Sequence, residues 1–165
     1  MIEKMKFVSI SGPKNDLDRM VNQYLSHYEI QLENYCKTVR IEALTMVDMA
    51  RRQILPAVEK YAHALSESFA SKVRLVPELS GRYEKTTVAK LSALADEIDA
   101  AAAALETETV RLKAIDDVTE ASCMIRDVIL QKMAELRVVC DEAEVLTAEE
   151  YWPFPTYGDL LFGVR

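Results

Sequence analysis

The chain has 165 residues, of which 50% are hydrophobic and 28% are charged, with only four glycines and five prolines. This composition favours helices, and the length is sufficient for one domain with a real core or for one long helical hairpin system. The net charge of −7 and the pI of about 5.0 give no electrostatic basis for binding nucleic acid or anionic lipid, so we expect neither as a partner.

The N-terminal third of the chain predicts a short strand followed by a long helix. Residues 4–10 are rich in β-branched and aromatic side chains and precede a Ser-Gly-Pro run, which indicates one short strand. Apolar residues then recur every three or four positions from Leu17 to Ile54, and the pattern continues beyond Pro56 to Phe69. We expect Pro56 to kink this helix without ending it, because no glycine or asparagine stop signal flanks it.

Two further helices are predicted after a connector at residues 73–82. Apolar and small side chains alternate by three and four from Val88 to Leu112, which predicts a coiled-coil-like seam. A break near residues 115–117 then predicts an antiparallel hairpin to a helix with the inward stripe Val118, Ala121, Ile125, Val128, Met133, Leu136, Val139, Ala143 and Leu146. The predicted fold class is all-α: long antiparallel helices in a coiled-coil-like bundle, with one short N-terminal strand and an extended aromatic C-terminal tail.

The C-terminal tail holds the only tryptophan and two of the four phenylalanines. Thr147 and Glu150 match a capping box, which predicts one further helical turn before the tail. Pro153 and Pro155 then prevent a helix and stiffen the backbone. We expect the aromatic and apolar side chains of this segment to pack on the bundle or on a neighbouring subunit; they are Trp152, Phe154, Tyr157, Leu160, Leu161 and Phe162.

No catalytic, cofactor-binding or metal-binding residue is predicted. The chain lacks phosphate-binding, dinucleotide-binding, zinc-protease and nucleophile-elbow motifs. Its two histidines, His27 and His63, lie at helical spacing among tyrosines, and we interpret both as structural. The three cysteines are far apart and lack metal-ligand spacing, which favours reduced thiols. Because no segment approaches the ~20 apolar residues of a membrane span and no signal peptide is present, we expect a cytoplasmic protein that does not insert into a membrane.

Several stretches of sequence resemble one family. Residues 28–35, 41–58, 90–94, 133–137 and 151–162 together resemble the C-terminal helical region of type III glutamine synthetase, so that the resemblance covers residues 28–165. It implies ATP-dependent ligation of ammonia to glutamate, assisted by Mg²⁺, in a large ring-shaped homo-oligomer. The family's ATP, metal and glutamate sites belong to portions upstream of this region, and their motifs are absent here. We therefore carry over no catalytic residue and expect this chain not to be active alone.

The opening of the chain resembles a different family. Residues 1–34 are similar to the start of V-type ATP synthase subunit I, a membrane-anchored stator subunit with a cytosolic strand-then-helix opening. The two resemblances meet at residues 28–34. A natural fusion, an engineered joining or an assembly error in the reading frame would each produce this pattern.

Three functions are compatible with these patterns. The leading hypothesis is a non-catalytic helical module of type III glutamine synthetase that serves packing and oligomer assembly. The alternatives are the cytosolic N-terminal part of the stator subunit and a helical adaptor that binds partner helices. For the leading hypothesis, we expect self-association or contact with the missing catalytic portion, with apolar surface exposed along the first helix or around the tail.

Overall fold

The computed structural model describes residues 13–155 and 157–163, and all regular structure within them is helical. The elements are α1 (Lys14–Met49), a π-helical turn (Ala50–Ile54), α2 (Leu55–Leu75), α3 (Arg82–Lys113), α4 (Val118–Met124), a second π-helical turn (Ile125–Ile129), α5 (Leu130–Leu146) and α6 (Tyr157–Phe162). The all-α class is thus confirmed for this part of the chain. The strand predicted at residues 4–10 lies outside the described residues.

The first long helix passes its proline without a break, as predicted. The π-helical turn widens the helix just before Pro56, where the N–H of Leu55 donates to the carbonyl of Ala50. Pro56 has no N–H to donate, and its ring crowds the preceding turn of a regular α-helix. One widened turn accommodates both effects, so that α1 and α2 form one continuous helical rod.

Helix α3 lies at the centre of the bundle and packs against α1, α2 and α5. Its side chains Leu91, Ile98 and Leu105 are completely buried at a seven-residue spacing. The predicted seam is buried from Leu91 to Leu112, and Val88 at its beginning is half-buried. The apolar pattern of this segment therefore identified the central face of the core.

The third long helix, residues 118–146, deviates from its predicted stripe. This helix contains the second π-helical turn of the chain, which carries two completely buried side chains, Ile125 and Ile129. The predicted Val128 is only half-buried. A π turn holds more residues than an α turn, so the inward face shifts by one position. Cys140 is also buried, in place of the predicted Val139.

Two ion pairs join the first long helix to α3. Arg51 donates to Glu106 at 2.7 Å, and Lys72 donates to Glu84 at 2.8 Å. The hydrogen bond from Lys72 lowers the pKa of the Glu84 carboxyl below its usual range. Both pairs lie at the edge of the apolar seam, where they fix the alignment of the two helices more than they add stability.

The connector between α2 and α3 is shorter than the predicted segment 73–82, because α2 continues to Leu75 and α3 begins at Arg82. Gly81 ends the connector in the left-handed region, with φ of 53°. A Cβ atom at this position would lie 1.8 Å from the ring of Phe69. The ring itself is held from another side by Lys85, whose ammonium lies 5.0 Å from its centroid. Only glycine fits both the backbone and the space.

We therefore predict that Gly81→Ala lowers the free energy of unfolding by about 2 kcal/mol, through strain at positive φ and displacement of the Phe69 ring. Urea unfolding followed by far-UV circular dichroism measures the change. Ser80→Ala is the matched control at the exposed neighbouring position, and it should leave the unfolding midpoint unchanged. Equal midpoints for the two variants would contradict this role of Gly81.

Candidate interaction site

The tail side chains predicted to interact fall into two groups. Trp152 and Phe154 are half-buried and pack against the core of the bundle. Their rings meet edge to face, with centroids 6.2 Å apart and an interplanar angle of 74°. In α6, Leu160, Leu161 and Phe162 are 68%, 72% and 81% exposed. The side chain of Tyr157 lies outside the described residues. The interaction role of the tail stays a prediction.

A tight turn after α5 directs Trp152 back onto the bundle. The amide of Tyr151 donates to the carbonyl of Ala148, and the amide of Trp152 donates to that of Glu149. Thr147 does not open another helix, which corrects the predicted capping box. Instead, its hydroxyl and its amide both donate to the carbonyl of Ala143, so that Thr147 closes the end of α5.

Three tyrosines outside the six predicted interaction residues link the start of the tail to two helices. The rings of Tyr61 on α2 and Tyr151 are 5.3 Å apart. The hydroxyls of Tyr61 and Tyr83 on α3 are 3.3 Å apart and share a hydrogen bond. This hydrogen bond, together with burial, raises the pKa of Tyr61 to about 12. Tyr61 is therefore neutral over the ordinary pH range and joins the tail to α3.

A second candidate surface lies at the other end of the molecule, on α1. The side chains of Val21, Tyr24, Leu25 and Tyr28 are 41%, 59%, 54% and 42% exposed. All four belong to the apolar stripe or flank it, and the first buried core residue on α1 is Val39. The structure thus has exposed apolar surface on both the first helix and the tail.

The histidines and cysteines do not come together in a site. His27 is exposed, and His63 is exposed beside Glu67, with 3.7 Å between Nε2 and Oε1. Cys36 is half-buried, Cys123 is exposed and Cys140 is buried. Within the described ranges, no three side chains of His, Cys, Asp or Glu are grouped so that they could hold a metal ion.

No helix among residues 13–155 and 157–163 has both the length and the apolar character that a membrane crossing requires.

Burial raises the pKa of the Cys140 thiol to about 11, so that this thiol stays protonated at neutral pH.

The comparisons with known proteins converge on one family. Residues 21–73 match the family described as the glutamine synthetase C-terminal domain. A glutamine synthetase of Butyrivibrio fibrisolvens is 34% identical over 140 residues, which are 85% of this chain and 20% of that protein. A type-3 glutamine synthetase of Dictyostelium discoideum is 23% identical over 141 residues, which are 83% of this chain and 19% of that protein. The chain is related to type III glutamine synthetases through their C-terminal helical region.

The match to the glutamine synthetase domain begins at residue 21, upstream of the start at residue 28 that the sequence resemblance gave. The exposed stripe around Tyr24 thus lies within the shared domain. The similarity of residues 1–34 to the stator subunit, and with it the fusion, stays a prediction. The chain spans about a fifth of the length of the relatives that it matches.

The two groups of tail side chains predict different responses to truncation. Trp152→Ala should lower the free energy of unfolding by about 2 kcal/mol, because it removes a half-buried ring and its edge-to-face contact with Phe154. Leu161→Ala, at an exposed position in the same tail, should change it by less than ~0.5 kcal/mol. Since Trp152 is the only tryptophan, urea unfolding is followed by circular dichroism for both variants. A Trp152→Ala variant as stable as Leu161→Ala would show that the tail does not stabilise the bundle.

Proposed function

We propose that this chain is a non-catalytic helical module of a cytoplasmic type III glutamine synthetase and that it serves packing and oligomer assembly. The reaction of the whole enzyme would be the ATP-dependent ligation of ammonia to glutamate, with Mg²⁺ as cofactor. In this proposal, ATP, Mg²⁺ and glutamate bind to the portion of the enzyme that this chain does not include.

The observation that carries the proposal is the apolar stripe of α1 that runs out of the bundle into solvent. An amphipathic helix gains its stability mainly from burying its apolar face, and this face is uncovered between Leu17 and Leu32. Exposed contiguous apolar surface of this kind is typical of contact sites between proteins. The family relationship supports the same interpretation, because the matched domain includes most of the stripe.

Light scattering of the 165-residue chain over a range of concentrations tests the proposal. We expect masses above the 18.7 kDa of one chain, rising with concentration. Tyr28→Ser, within the stripe, should weaken association by about tenfold or more. Ile30→Ser is the matched control, because Ile30 is 56% exposed on the opposite side of the same helix. It should leave association unchanged.

A chain that is monomeric at every concentration would contradict the assembly role. Calorimetric titration with ATP and Mg²⁺ tests the other half of the proposal on the same preparation. We expect no saturable heat, and saturable nucleotide binding would show that the module is not purely structural.

A further inference from the structure

The exposed stripe of α1 is the same helical face that forms the core further along the chain. Side chains at Leu17, Val21, Tyr28 and Leu32 lie within one quadrant of the helix, the two leucines half-buried and the other two exposed, and Val39 continues that quadrant. Val39 is buried, as are Ala43 and Ala50 further along the same face. The stripe is therefore a continuation of the core seam beyond the point at which its partner helices end.

The partner helices end at the corner between α3 and α4, residues 114–117. This corner lies beside Cys36, whose Sγ is 4.0 Å from the carbonyl oxygen of Val118. On the N-terminal side of this corner, residues 18–31 of α1 are all exposed. About half of α1 projects beyond the corner.

The stripe has a spacing that is unchanged when the helix is reversed. The apolar residues pair off symmetrically about the midpoint between residues 24 and 25. Counted inward from the two ends, the pairs are Leu17 with Leu32, Val21 with Tyr28, and Tyr24 with Leu25. A twofold interface requires this property. If one residue of the first copy contacts a second residue of the partner, then that second residue in the first copy contacts the first residue of the partner. An antiparallel pair of these helices would place an apolar side chain opposite every apolar side chain of the stripe.

The corner excludes the parallel arrangement. It lies on the same face of α1 as the stripe, since Cys36 and Val39 contact the other helices on that face. Two parallel copies would therefore bring their corners into collision. In the antiparallel pair, the N-terminal end of each α1 lies near the partner's corner, and the stripe fills the space between the two corners.

The size of this contact predicts a reversible association. The stripe from Leu17 to Leu32 is roughly 24 Å long at ~1.5 Å per residue. A helix pair of that length buries on the order of 1,000 Å² in total, just below the roughly 1,200–2,000 Å² of a standard stable interface. Association should therefore depend on concentration.

From this stripe, its reversible spacing and the position of the corner, we infer that two copies of this chain pair antiparallel through residues 17–32 of α1, with Leu17 of one copy against Leu32 of the other. The inference rests on the proposed assembly role and names its partner surface. The twofold axis of this pair passes between Tyr24 and Leu25.

Disulfide trapping tests the pairing. In a background carrying Cys36→Ala and Cys123→Ser, Leu17→Cys and Leu32→Cys chains are prepared separately, checked for unchanged helicity by circular dichroism, and then mixed and oxidised. A disulfide needs Cα atoms within ~7 Å. We expect a cross-linked dimer from the mixture and none from either chain alone, because identical positions would lie roughly one stripe length apart. Ile30→Cys, on the opposite side of the helix, should not cross-link with either chain.

The outcomes separate this inference from the assembly role. A chain that is dimeric by light scattering but gives no cross-link between positions 17 and 32 would overturn the antiparallel pairing and leave the assembly role intact. Cross-linking of Leu17→Cys to itself would show a parallel pair and would also overturn it. A monomer at every concentration would overturn both.

Discussion

The unequal lengths of the helices are the constraint on which the rest of this structure depends. The rod formed by α1 and α2 runs from residue 14 to residue 75, whereas α3 covers residues 82–113 and the third long helix covers residues 118–146. Two shorter helices cannot cover the apolar face of a longer one. The core therefore forms where all three overlap, and apolar surface remains on α1 and on the tail. Because an apolar helical face in water is unfavourable, this mismatch accounts for the proposed assembly role.

Much of the fold could be predicted because the sequence patterns are strong. The spacing of Leu91, Ile98 and Leu105 identified the central seam, and the lack of stop signals around Pro56 identified a continuous rod. The π-helical turns could not be found in this way, since a pattern search assumes a constant number of residues per turn. That assumption led to the wrong inward residue, Val128 in place of Ile129.

The candidate site was predictable in composition and not in geometry. The prolines and aromatic residues marked the tail as a segment that packs on something, but no local pattern indicated that Tyr61 and Tyr83 would lie near its start. Such contacts join residues far apart in the chain, and their side chains are unremarkable locally. Gly81 was predicted only as part of a connector, because its close approach to the Phe69 ring exists only in the folded structure.

In the antiparallel pair, a second copy of the chain covers the stripe of α1. Amide hydrogen exchange measured by mass spectrometry at a high and a low protein concentration tests it most directly, since an uncovered helix end opens with little free energy. We expect residues 17–32 to exchange more slowly at the high concentration and residues 91–112 of the buried seam to exchange equally at both. Identical exchange of residues 17–32 at the two concentrations would contradict the pairing.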